Sequence, residues 1–132
     1  MNHFSTWPYF WFGCWSEFGE QYLKCPSIHE YTDSSWNYES IKQLLAYINT
    51  APIIATTSRL SIPWAIGNGD NRSSISYRSD DTWVWLDDID YYVIQHNLRL
   101  PDNFIFHIEK NNYISPKEIN KDIQELPWPP VG

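Results

Sequence analysis

The chain is short of the residues that redox, metal and nucleotide chemistry require. It has two cysteines in 132 residues, Cys14 and Cys25, and no CxxC pair. Two thiols are a thin framework for a disulfide-stapled secreted fold, and their separation is far wider than the short spacings of structural zinc sites. The four histidines, His3, His29, His96 and His107, are scattered without a His-x3-His pair. The aspartates lack the central glycine and terminal glutamate of a calcium loop. Five glycines are few, and Gly67-Asn68-Gly69 has neither the lysine nor the spacing of a phosphate-cradling loop. No apolar run nears the roughly 20 residues that span a bilayer. Met1 is followed by Asn-His-Phe, without the basic start of a secretory leader. These absences predict a cytoplasmic protein with two reduced thiols, no metal and no cofactor.

Basic residues are scarce as well. Nine Lys and Arg face sixteen Asp and Glu, for a formal charge of −7. Phosphate binding needs clustered Lys and Arg that displace counterions, so nucleic acid is not expected as a direct partner. An anionic membrane surface is disfavoured for the same reason. The balance suits a basic protein partner, and it equally suits plain solubility.

Aromatics, by contrast, are abundant at 17%, with eight tryptophans. Large rings let a chain of this length build one core with few aliphatic residues, and they can also anchor an interface. The length fits one domain over residues 1–132, with 127–132 (PWPPVG) an extended Pro-rich tail.

Periodicity gives the elements. Residues 3–31 fit either a buried helix or an extended aromatic arm, because Gly13, Gly19 and Pro26 interrupt the pattern. Ile41, Leu44, Leu45 and Ile48 recur at helical spacing over 39–49, with Asn37 as the expected N-cap. The β-branched run 53–62, between Pro52 and Pro63, predicts a strand, and 67–74 a loop. Ile89, Tyr92, Val93 and His96 share a face of a helix over about 87–96. Pro101 opens another helix carrying Phe104, Ile105 and Ile108. A capping box from Ser115 to Glu118 predicts a last helix with Ile119, Ile123 and Leu126 on its apolar face. The expected fold is α+β, a small antiparallel sheet of about three to five strands flanked by about four helices.

Between them, residues 75–86 predict a hairpin. A turn on Asp80-Asp81 pairs Tyr77 with Val84, Arg78 with Trp83 and Ser76 with Trp85. Ile75, Tyr77, Val84 and Leu86 then face the core. Arg78, Trp83 and Trp85 share the opposite face, where Arg78 can stack on Trp83. The acids Asp80 and Asp81 at the tip, and Asp87, Asp88 and Asp90 at the helix start, crowd the same surface. Turn and dipole chemistry alone accounts for acids in such places. As a group they are also candidates for contact with a basic partner.

The pattern Ser76-Tyr77-x-Ser79-Asp80-x-x-Trp83-x-Trp85, then Tyr91-Tyr92-Val93, Leu100-Pro101, Phe104 and His107-Ile108, resembles small immunity proteins of bacterial contact-dependent growth inhibition and related polymorphic toxin systems. Thr56-Thr57-Ser58-Arg59 belongs to the same pattern, which covers about residues 40–110. Asp81 stands where a glycine usually follows the turn aspartate, leaving the turn type open. The resemblance implies a non-enzymatic protein that binds and neutralises the toxin domain of its own system, often a basic nuclease. The expected contact residues are Arg78, Asp80, Asp81, Trp83, Trp85, Asp87, Asp88 and Asp90. Two alternatives remain: a glycan-binding module, which needs two exposed coplanar tryptophans, and a small hydrolase, which needs an acid or thiol beside a histidine in a cleft.

Overall fold

The computed structural model describes residues 10–119. Four strands form one sheet in the order β1-β4-β3-β2: β1 is Phe10–Phe12, β2 Ile53–Ser58, β3 Ser74–Ser79 and β4 Trp83–Leu86. Among the described residues three helices accompany them, where about four were expected: α1 at Ile41–Thr50, α2 at Ile89–His96 and α3 at Asp102–Lys110. The α+β class and the single small domain are as expected. The sheet is mixed rather than antiparallel, because β1 runs parallel to β4 with Phe10, Trp11 and Phe12 beside Trp83, Val84 and Trp85. Residues 16–30, which fit a helix or an aromatic arm, form three short 3-10 turns instead.

Parallel β1 makes β4 an inner strand, and all four of its residues are buried. On one face, Trp83 stacks on Phe104 of α3 (centroids 4.5 Å apart), and the Trp85 indole N–H donates to the Ile48 carbonyl at the end of α1 (3.0 Å). On the other, Tyr77 meets Tyr22 of the 3-10 segment. That segment is tied down by Ser16 N–H donating to Pro26 O (2.9 Å) and by Glu17, which accepts from the Ser27 hydroxyl and the Ile28 amide. Gly13 joins β1 to it at φ +100°, where an added Cβ would sit 2.9 Å from Ile89. A side chain there would meet both backbone strain and the start of α2.

The helices fall near their expected places. Leu44, Tyr47 and Ile48 are the buried face of α1, which begins after Ser40, so Asn37 lies outside it and caps nothing. Ile89, Tyr92 and Val93 are buried in α2, and Asn97 ends it in the left-handed conformation that suits asparagine. Phe104, Ile105 and Ile108 are buried in α3. Up to residue 119 no helix follows Ser115. Ile123, Leu126 and the 127–132 tail lie outside the described residues. No helix among the described residues is long and apolar enough to cross a membrane.

Asp88, beneath α2, is fully buried with Arg59 Nη1 3.0 Å from its Oδ2. The Arg59 guanidinium lies 3.9 Å over the Trp64 ring. Burial pushes the Asp88 carboxyl up to about 6 from an ordinary 3.8, although Arg59 opposes the shift. An acid whose folded-state pKa exceeds its unfolded value holds its proton more tightly when folded. Its stabilising contribution is therefore complete below the unfolded pKa and is lost as pH rises through about 6. Glu17, Asp33 and Asp70, all lowered, contribute stability that is fully present above about pH 4.5 and is lost only below it. Between pH 5 and 7 Asp88 should thus remove about 1 kcal/mol. Urea unfolding of the wild type against Asp88→Asn at both pH values measures it. The difference between the two proteins must change with pH in that sense; a difference independent of pH contradicts the assignment.

Candidate functional site

The hairpin tip is built on Asp80. Tyr77 pairs with Leu86, Arg78 with Trp85 and Ser79 with Val84. The register therefore sits two residues from the expected one, and a shift by two leaves each side chain on the face assigned to it. The cause is the turn, which centres on Asp81 and Thr82. Asp80 Oδ1 accepts from the amides of Thr82 (3.0 Å) and Trp83 (2.7 Å), and its own N–H donates to Trp83 O (3.2 Å). Asp81 takes φ +76°, a conformation glycine adopts freely and aspartate tolerates, and its N–H donates to Ser79 Oγ (3.0 Å).

The second Asp80 oxygen joins the tip to two helices. Oδ2 accepts from the Tyr47 hydroxyl of α1 (2.6 Å) and lies 2.9 Å from His107 Nε2 of α3. The Asn111 amide reaches the Tyr47 hydroxyl (3.2 Å) and His107 Nε2 (3.3 Å). Burial, reinforced by the Asp80 carboxylate, raises the Tyr47 hydroxyl well above its usual range. Tyr47 and Asn111 were not singled out by sequence, and His107 only as part of the resembling pattern. The available signal was Tyr47 on the buried stripe of α1, a polar tip that needs a partner when buried.

Outside this knot lies a groove of about 620 Å³ between the hairpin tip and the chain after α3. Asp80 and His107 form its floor, Asp81 and Glu118 its acidic walls, and Ile114 an apolar wall. No lysine or arginine belongs to its described lining.

Such a groove can attract cations. Its histidine beside a buried aspartate is also half of what a hydrolase uses. A triad needs a nucleophile bonded to that histidine. Among the described residues, His107 bonds only to Asp80 and Asn111, and the Ser115 hydroxyl is engaged by Thr50 (3.1 Å). The thiols are elsewhere: Cys14 and Cys25 are both buried, and the groups acting on Cys14 are Cys25 and Asp88. Burial holds Cys14 well above the usual thiol range, while its hydrogen bond to Cys25 pulls Cys25 down. Among the described residues, no two tryptophans form an exposed coplanar pair. Of the six described tryptophans, Trp11, Trp15, Trp83 and Trp85 are buried, while half-buried Trp36 stacks on Tyr38 and Trp64 lies against Tyr91.

The eight expected contact residues separate into two groups. Trp83 and Trp85 are 2% and 1% exposed, Asp80 6% and Asp88 0%, so none of these four offers an open surface. That corrects the expectation of an exposed Trp83–Trp85 face: the same side of the hairpin is covered by α1 and α3. Arg78 does not stack on Trp83. Its Nη1 donates to the Ala51 carbonyl (2.6 Å) and its Nε lies 3.5 Å from Asp87 Oδ2. Asp90 pairs with Arg72 (3.1 Å), which also holds Asp70 (2.6 Å). Arg78, Asp81, Asp87 and Asp90 are the half-buried remainder, and of these Asp81 alone lines the groove. Compared with family models, curated proteins and solved structures, the chain matches none.

Proposed function

We propose that the protein is a non-catalytic immunity protein that binds a basic toxin domain, a nuclease by class, and blocks its substrate surface. One observation carries this: each of the four arginines is bonded to aspartate within the fold, while the groove at the hairpin tip is walled by acids and has no lysine or arginine in its described lining. Arg59, Arg72, Arg78 and Arg99 are thus each engaged in an internal pair. An acid-walled groove is complementary to the Lys and Arg side chains by which a nuclease holds phosphates. Ile114, 73% exposed on its wall, gives such a side chain an apolar surface for its methylene stem. The resemblance of residues 40–110 to immunity proteins supports the same role. Its site is narrower than the sequence suggested: Asp81 and Glu118 at the rim, with Asp80 beneath.

The test is co-expression with the C-terminal domain encoded by the gene directly upstream. Cells should grow with both genes and stop growing with the toxin domain alone. An upstream domain that is harmless, or whose toxicity this protein leaves unchanged, contradicts the proposal.

A further inference from the structure

The sheet has two unlike edges. β1 is three residues long, and its Phe10 ring packs tilted against Trp83. β2 is six residues long and reads Ile-Ile-Ala-Thr-Thr-Ser, without a charge or an internal proline. Among the described residues, β3 is the only element that packs along it to any extent. Natural edges are usually blunted by lysine, proline, a short strand or a covering element. β2 has Pro52 and an irregularity between Ile53 and Ala55 at one end and, among the described residues, none of these devices from Ala55 to Ser58.

The backbone shows which groups are open. Arg59 N–H donates to Ser73 O, so alternation along the regular part of the antiparallel ladder turns Thr57 and Ala55 toward β3 and Thr56 and Ser58 outward. The Ser58 carbonyl agrees, since it accepts from Ser61 and Ile62 in the following turn. The N–H and C=O of Thr56 thus point away from the sheet at the middle of the strand.

We infer that β2 pairs antiparallel with β2 of a second copy, about a two-fold axis at Thr56, joining two four-stranded sheets. This pairing sets Ile54 of one copy beside Ser58 of the other and opposes no like charges. It leaves Leu60, 96% exposed in the turn that ends each strand, at the rim of the contact, with Ile53, 53% exposed, at the other end of the strand. A single strand that is uncharged along its length and apolar at both ends is complementary to itself, as an isologous contact requires. A contact made by one six-residue strand from each copy is small, and the dissociation constant should be on the order of 10–100 µM. Two chains of charge −7 repel, so salt should strengthen this contact, whereas it weakens binding to a basic partner. The inference is independent of the proposed function.

Sedimentation equilibrium of the full chain from 1 µM to 1 mM tests it. The mass should rise from 15.7 kDa toward twice that value, more steeply at 0.5 M than at 0.1 M salt. Thr56→Lys, which opposes two ammonium groups on the axis, should raise the dissociation constant at least tenfold. So should Leu60→Glu, at a position with almost no packing to lose, which keeps the test valid if the first variant is unstable. A wild type that stays monomeric to 1 mM overturns the inference, as does a dimer unaffected by both variants.

Discussion

Replacing Asp80 by alanine should cost about 3–5 kcal/mol of folding stability, a large fraction of the total for a domain of this size. The carboxylate accepts from the Thr82 and Trp83 amides and the Tyr47 hydroxyl and contacts His107, and its side chain is fully buried. Its removal strands the Trp83 amide and the Tyr47 hydroxyl inside the protein, and an unsatisfied buried donor costs about 1–3 kcal/mol. Asparagine keeps one carbonyl oxygen for the turn amides and should cost about half as much. Urea unfolding of Asp80→Ala and Asp80→Asn gives both values. A loss under 1 kcal/mol for alanine would mean that the knot joining the hairpin tip, α1 and α3 is not what fixes the tip.

Trp85→Ala should be as damaging, at about 3–5 kcal/mol. The indole is buried on β4, stacks on Tyr47 with centroids 6.1 Å apart, meets Phe104 at 5.4 Å and donates to Ile48 O. Phenylalanine keeps most of the ring and loses the hydrogen bond, so Trp85→Phe should cost about 1–2 kcal/mol. The pair also decides what Trp85 is for. An interface anchor loses binding on truncation and keeps its stability; a core residue does the reverse. Unchanged stability in Trp85→Ala would return Trp85 to the list of contact residues.

Local signals in the sequence located most of the fold. Ile41, Leu44 and Ile48 marked α1, Phe104, Ile105 and Ile108 marked α3, and the run after Pro52 marked β2. The face of each hairpin residue was legible too, since period-two alternation survives a register error of two. Three things left no local trace. Parallel pairing of Phe10–Phe12 with β4 joins segments some seventy residues apart in the chain, and a three-residue aromatic run cannot announce it. Without β1, β4 reads as an edge-like strand with a wet face, and its tryptophans read as surface. The ion pairs were equally silent: Asp87, Asp88 and Asp90 look like an acidic helix start until Arg78, Arg59 and Arg72 are folded onto them. Finally, Asp80 has the sequence context of a solvated turn, and only the fold brings Tyr47 and His107 to it. What remained of the expected site was therefore Asp81, half-buried where it lines the groove, to which the structure adds Glu118.

Association kinetics measure that remainder most directly. With the toxin domain encoded upstream as the partner, Asp81→Asn combined with Glu118→Lys removes two negative charges from the groove and adds one positive. Asparagine tolerates the positive φ at position 81, so the turn is kept. The association rate at low salt should fall about tenfold, and the difference should shrink at 0.5 M salt. Asp102→Lys, at the far end of α3 and away from the groove, should change it much less. Equal association rates for the wild type and the groove variant would contradict the account.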